Sequence, residues 1–106
     1  MWKEAEMPEF VNPFSGIVPD RKMSASELLR ALRLNLAAEE EAIHLYESHA
    51  DATDNTLAKA VLHEIADEER VHVGEFQRLL SILAKDEEKL LAAGAEEVDD
   101  IAKELK

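Results

Sequence analysis

Two glutamates stand where the local pattern calls for an apolar residue. Leu29, Leu32, Leu36, Glu39, Ile43, Tyr46 and Ala50 step by three and four along one stripe, which Glu39 interrupts. Leu62, Ile65, Ala66, Glu69, His72, Val73, Phe76, Leu80 and Leu83 trace a second stripe, interrupted by Glu69. An ionised carboxylate buried without a partner is very costly, so each glutamate must face a cation, a hydrogen-bond network or water. No Lys or Arg shares either stripe to pair with them. His72 follows Glu69 by three residues, so Glu69-x-x-His72 projects two ligating groups from one helix face. Carboxylate together with imidazole suits iron, manganese or zinc, whereas an oxygen-only set would suit magnesium or calcium.

The elements that must position these groups are helical. Ser24 followed by Glu27 is a capping box at the head of a first helix, expected over about 24–52 with no Gly or Pro inside it. The run Asp51-Ala-Thr-Asp-Asn55 is rich in short polar residues that prefer caps and turns. A second helix is expected over about 55–83, and the short connection folds the two into an antiparallel hairpin. The remaining sequence shows a helical period broken by Gly94, which predicts two short helices, about 86–93 and 95–105. Gly74, inside the second helix, reads either as a place of close backbone approach or as an ordinary tolerated glycine. Residues 1–23 have no helical or strand period and contain Pro8, Pro13, Gly16 and Pro19. They read as an extended arm that would lay Phe10, Val11, Phe14, Ile17 and Val18 on another surface, or else as a partly disordered terminus. The expected architecture is therefore an all-α domain over 24–106 behind an arm over 1–23.

Composition narrows the chemistry. The chain has 106 residues, 24 Asp+Glu against 12 Lys+Arg, a formal net charge of −12 and no Cys. The absence of Cys excludes a thiol catalyst, a thiolate zinc site, an iron–sulfur cluster and a rubredoxin-type centre. So acidic a balance argues against nucleic acid or an anionic membrane as partner and favours cations. No apolar run approaches the ~20 residues needed to span a bilayer, and residues 1–6 lack the apolar segment of a signal peptide. The expectation is a soluble, cytoplasmic protein. Two long helices also offer few faces to pack on, so a chain of this size buries poorly alone.

The residues Glu39-Glu-Glu-Ala-Ile-His-Leu-Tyr46, then a polar turn, then Asp67-Glu-Glu-Arg-Val-His-Val-Gly-Glu-Phe76, resemble the encapsulated ferritins. These are the short, two-helix members of the ferritin and rubrerythrin superfamily, found inside encapsulin shells or fused to them. In ferritin-like bundles two helices each supply a Glu and the other two each supply Glu-x-x-His. This chain carries one helix of each kind, so two copies about a two-fold axis would complete a four-helix bundle with six ligands. The resemblance implies a ferroxidase that oxidises Fe(II) to Fe(III) at a di-iron centre between two subunits. It implies dimers built into a ring-like oligomer such as a decamer, an encapsulin partner and a place inside that nanocompartment. Carried over by position, the metal ligands and catalytic residues are Glu39, Glu69 and His72, and Tyr46 is the tyrosine beside the centre. Glu41 matches an acidic entry position, and His44 and Glu75 are further candidates for an entry or secondary metal site. Calcium or zinc would be able to take the same donors in a crystal. Ala38 replaces an acidic residue that some members carry, and Ala102–Lys106 reads as helix, without the linker and docking peptide usual in shell-enclosed members.

Two other functions are compatible with these residues. A rubrerythrin-like peroxide-reducing di-iron protein usually needs a reductant centre, and no Cys is present to hold one. A non-catalytic helical assembly or cargo module would bind a metal structurally through the same Glu/His set. Even in that case Glu39 and Glu69 remain the outliers of their stripes, while His49, His63 and most other acidic residues read as solvated surface.

Overall fold

The computed structural model describes residues 20–105, so the arm expected over 1–23 lies outside the described residues except for 20–23. Helix α1 spans Ala25–Asp51, α2 spans Thr56–Leu83, a 3-10 turn covers Lys85–Glu87, and α3 spans Glu88–Glu104. The described residues are all-α. None of these helices is long and apolar enough to cross a membrane.

The start of α1 is held by side chains rather than by packing. Ser24 Oγ accepts from Glu27 N at 3.2 Å, and Glu27 Oε1 accepts from Ser24 N at 2.8 Å. This reciprocal box satisfies two donors that the helix cannot satisfy internally. Arg21 donates to both carboxylate oxygens of Glu27 at 2.8 Å, so chain entry and first turn are locked together. The Arg21 guanidinium, with help from the Ser24 N–H, holds the Glu27 carboxyl well below the usual carboxylate range.

The connection between α1 and α2 is built in the same way. Asn55 Oδ1 accepts from Ala58 N at 2.9 Å and caps α2, while Thr53 Oγ1 accepts from Asn55 N at 3.2 Å. Lys59 Nζ reaches back to the Ala50 carbonyl at 2.7 Å, which gives the C-terminal end of α1 a cationic partner. Four residues thus reverse the chain and set the two helices antiparallel.

Little of this chain is buried. Among the described residues the core consists of Leu32, Ala50, Ala66, Leu80 and Ala84, and no large side chain is wholly enclosed. Ala50 and Ala66 are completely inaccessible, which marks them as the places where the paired helices leave no room for a longer side chain. The bulkier stripe residues lie half-buried between the helices, open on the side that a single hairpin cannot cover.

The C-terminal segment departs from the expected pair of short helices. α3 runs unbroken from Glu88 to Glu104 through Gly94. A single glycine costs about 1 kcal/mol relative to alanine, and the neighbours Ala92, Ala93, Ala95, Glu96 and Glu97 are strong helix formers that offset it. A Cβ built on Gly94, or on Gly74, would meet nothing within 4 Å, so neither glycine serves a close approach within this chain. α3 packs on the 3-10 turn and hardly on the hairpin, and Leu90, Leu91, Val98, Ile101 and Leu105 stay exposed along it. Arg33 of α1 ties this region back to the hairpin through a hydrogen-bonded ion pair with Glu87.

Three outcomes follow for stability, each read by denaturant unfolding followed by circular dichroism. Ser24→Ala should cost about 1 kcal/mol, the usual value of an N-cap. Glu27→Gln should destabilise most near neutral pH. Because the Glu27 carboxyl titrates lower in the folded chain than in the unfolded one, its contribution is present above the unfolded value of ~4.3 and fades as the pH falls below it. Ala66→Leu should overpack the hairpin and cost about 1–3 kcal/mol.

Candidate metal centre

Equal depth along antiparallel helices brings the outlying residues together. Glu39 lies twelve residues before the end of α1, and Glu69 thirteen residues after the start of α2. At ~1.5 Å per residue these are about 18 and 20 Å from the connection, so the two carboxylates face each other across the seam. His72, one turn beyond Glu69, completes a cluster in which one ligand atom from each residue lies within 4.8 Å of the others.

The contacts within the cluster are those of charges awaiting a partner. His72 Nδ1 is 3.2 Å from Glu69 Oε1 and 3.5 Å from Glu39 Oε2. Glu39 Oε2 is buried and accepts no hydrogen bond. The facing Glu39 carboxyl and partial burial raise Glu69 above the ordinary carboxylate value, against the opposing pull of His72. Burial alone would lower His72, but Glu39, Glu69 and Glu75 together raise it. Two carboxylates in one low-dielectric place compete for a proton unless a cation stands between them, and the His72 imidazole partly fills that role. A mixed oxygen and nitrogen donor set with an orphaned buried carboxylate oxygen fits a borderline or transition metal.

The site is also one-sided. Glu39 and Glu69 side chains are 23% and 19% exposed, while His72 is 48% exposed. Beside them lies an open hollow of about 390 Å3 lined by Glu39, His72, Glu75, Phe76 and Leu79. Three donors from one chain do not close a coordination sphere, and the hollow leaves space for more.

The remaining candidate residues are distributed unevenly. Tyr46 is half-buried on the same stripe of α1 as Glu39, nearer the connection. Glu75 is exposed at the edge of the hollow beside His72. Glu41 and His44 are exposed on α1 and do not join the three-residue cluster. Glu41 instead borders a shallow apolar depression on α1 with Leu34, Ala37, Ala38, Ala42 and Leu45. His44 offers only its backbone carbonyl, which accepts from Ser48 Oγ at 2.8 Å. Arg70 is a residue the sequence reading passed over. It donates to Glu47 of α1 at 2.7 Å and to Asp67 at 2.9 Å, bracing α2 against α1 next to Glu69. A lone cation directly after the acidic run 67–69, spaced i,i+3 from Asp67, was the available signal.

Comparison with known proteins places this geometry in a lineage. The Rubrerythrin family model matches residues 30–105. The chain is 44% identical over 110 residues to the encapsulin nanocompartment cargo protein EncC of Myxococcus xanthus, covering 92% of this chain and 83% of that one. It is 38% identical over 91 residues to a ferritin-like-encapsulin shell fusion protein of Pyrococcus furiosus, covering 86% of this chain and 26% of the fusion. Among solved structures it superposes on the encapsulated ferritin domain from Pyrococcus furiosus with a TM-score of 0.77 at 36% identity, covering 88% of this chain and 94% of that domain. The chain therefore belongs to the rubrerythrin family, among its ferritin-like, encapsulin-associated members.

Proposed function

We propose that this chain is a ferroxidase whose substrate is Fe(II), taken up between two copies of the hairpin and oxidised to Fe(III) by dioxygen. The observation that carries the reading is Glu39 Oε2, buried without a hydrogen bond and facing both Glu69 and His72. Each Fe(II) gives up one electron, and dioxygen is the acceptor. Glu39 and Glu69 supply negative charge that offsets the higher charge of Fe(III) and so favours the oxidised product, and His72 supplies the nitrogen donor. Tyr46, along the same stripe, is the neighbour whose hydroxyl would orient these groups by hydrogen bonding.

The second copy is called for by geometry. One chain offers three donors and leaves His72 half exposed beside an open hollow. A two-fold axis along that face would bring a second Glu39, Glu69 and His72 opposite the first and cover Phe76 and Leu79. The resulting four-helix bundle would supply the burial that a single hairpin lacks. Larger rings built from such dimers accord with the family resemblance. Glu75 at the edge of the hollow, in a chain of net charge −12, would raise the local concentration of Fe(II) on its way in.

The relatives named as encapsulin cargo and as a shell fusion support an encapsulin shell as the partner, with the product stored in its lumen. The shell then receives Fe(III) where it is formed. That would separate this chain's task from the peroxide reduction of a rubrerythrin, which draws electrons from a second centre.

The test loads metal-free protein with Fe(II) without oxygen, admits air and follows ferric absorbance. Wild type should oxidise iron well above the protein-free rate. Glu69→Ala should lose at least the roughly tenfold to hundredfold that removing a mere outer partner of a metal site costs, with its helical circular dichroism retained. Equal rates in the two proteins would overturn the ferroxidase reading. The shared site is tested separately by native mass and iron titration. Two irons per dimer are expected, and a well-folded monomer that bound two irons with undiminished affinity would exclude a centre between copies.

A further inference from the structure

Arg70 follows Glu69 directly but does not join the metal cluster. Its guanidinium donates to Glu47 of α1 at 2.7 Å and to Asp67, one turn back on α2, at 2.9 Å. Apart from His72 within the cluster, it supplies the one ion pair between α1 and α2 among the described residues. The other ties lie towards the ends. Lys59 holds the Ala50 carbonyl at the connection, and Arg33 pairs with Glu87 beyond α2. Among the described residues, the middle of the hairpin, where the two carboxylates face each other, has this one outside brace.

Helix geometry explains why the pair forms and what it resists. Glu47 stands four residues before the end of α1 and Arg70 fourteen after the start of α2, so Glu47 is the nearer to the connection. Side chains lean towards the N-terminus of their own helix. In antiparallel helices Glu47 therefore leans towards the open end and Arg70 towards the connection, and the two meet obliquely. An oblique tie resists both the sliding of α2 along α1 and the separation of the two. The flank matters as well. At ~100° per residue, Arg70 lies to one side of Glu69, while His72, Glu75 and Leu79 lie to the other, beside the hollow. The tie closes the back of the hairpin and leaves the flank with the hollow free.

The carboxylates push in the opposite sense, because Glu39 and Glu69 repel each other whenever no cation stands between them. A brace one residue from Glu69 opposes that repulsion and keeps the donors at the spacing at which they cluster. We infer that Arg70 is a positioning residue for the metal centre, holding Glu39 and Glu69 at metal-binding distance through its tie to Glu47. The inference rests on the metal-binding part of the proposed function and not on iron oxidation. Charge alone makes the opposite prediction. Arg70 is a cation beside a cation site, so its removal would strengthen metal binding if long-range electrostatics decided the outcome. Loss of the brace weakens it.

The test is a double-mutant cycle on the full, metal-free chain with Co(II) alone as the probe. Arg70→Met should bind Co(II) about fivefold more weakly than wild type, the scale expected of an exposed ion pair. At saturating Co(II) its visible absorption should differ from that of wild type, because that spectrum follows the arrangement of the donors. Arg70 is half exposed, so its replacement leaves the core intact and the helical circular dichroism unchanged. In a Glu47→Gln background the same Arg70→Met step should weaken binding by less than about twofold, since the tie is already gone. An Arg70→Met protein that binds Co(II) as tightly as wild type, or more tightly, overturns the inference. So does an equal loss with and without the Glu47 carboxylate. Wild type that binds Co(II) no better than Glu69→Ala removes the metal centre itself, and this inference with it, an outcome distinct from the other two.

Discussion

Two carboxylates facing each other in a seam that is otherwise apolar impose the central constraint on this molecule. Half-buried side by side, they carry a desolvation and repulsion cost that no apolar neighbour offsets. Glu39 and Glu69 nevertheless occupy the same level of α1 and α2, and the turn, the caps and the helix lengths all keep them there. The His72 imidazole contributes partial compensation from 3.5 Å, and Glu39 Oε2 still accepts no hydrogen bond. A site with this deficit gains stability from whatever cation fills it. Binding and folding are then linked through the same pair of residues.

The shortage of burial follows the same direction. Among the described residues five small or medium side chains make up the core, and Ala50 and Ala66 mark where the helices approach most closely. Capping supplies local order where packing cannot. Ser24, Glu27 and Arg21 hold one end of the hairpin, and Thr53, Asn55 and Lys59 hold the other. Arg70 braces the middle from the outside through Glu47 and Asp67. Such an arrangement keeps the helices that carry Glu39, Glu69 and His72 in register while leaving one face open. Exposed ion pairs like these contribute little energy individually, so their value lies in fixing position.

How far the sequence could be read varied with the range of the interactions involved. The capping box and the polar connection are local signals, carried by residues that bond within three or four positions, and they were readable. The pairing of Glu39 with Glu69 was readable because a short turn between helices of matched length leaves a single register. The behaviour of α3 was not, because Gly94 is a weak helix breaker among strong helix formers and nothing local distinguishes a bend from a tolerated glycine. The separation of Glu41 and His44 from the metal cluster agrees with the helical wheel, which turns them away from the Glu39 stripe. Arg70 and the Arg33–Glu87 pair were missed, since their partners lie on other elements, 23 and 54 residues distant.

Residue type and spacing alone therefore pointed to a helical hairpin that brings Glu39, Glu69 and His72 together, because helix periodicity and a tight turn convert spacing into position. Folding in three dimensions decided what periodicity does not encode. It left one carboxylate oxygen without a partner, exposed half of His72 beside a hollow, and carried α3 away from the hairpin. These features depend on the depth at which two surfaces meet and on which faces remain uncovered, quantities set by packing between elements rather than by the order of residues within one.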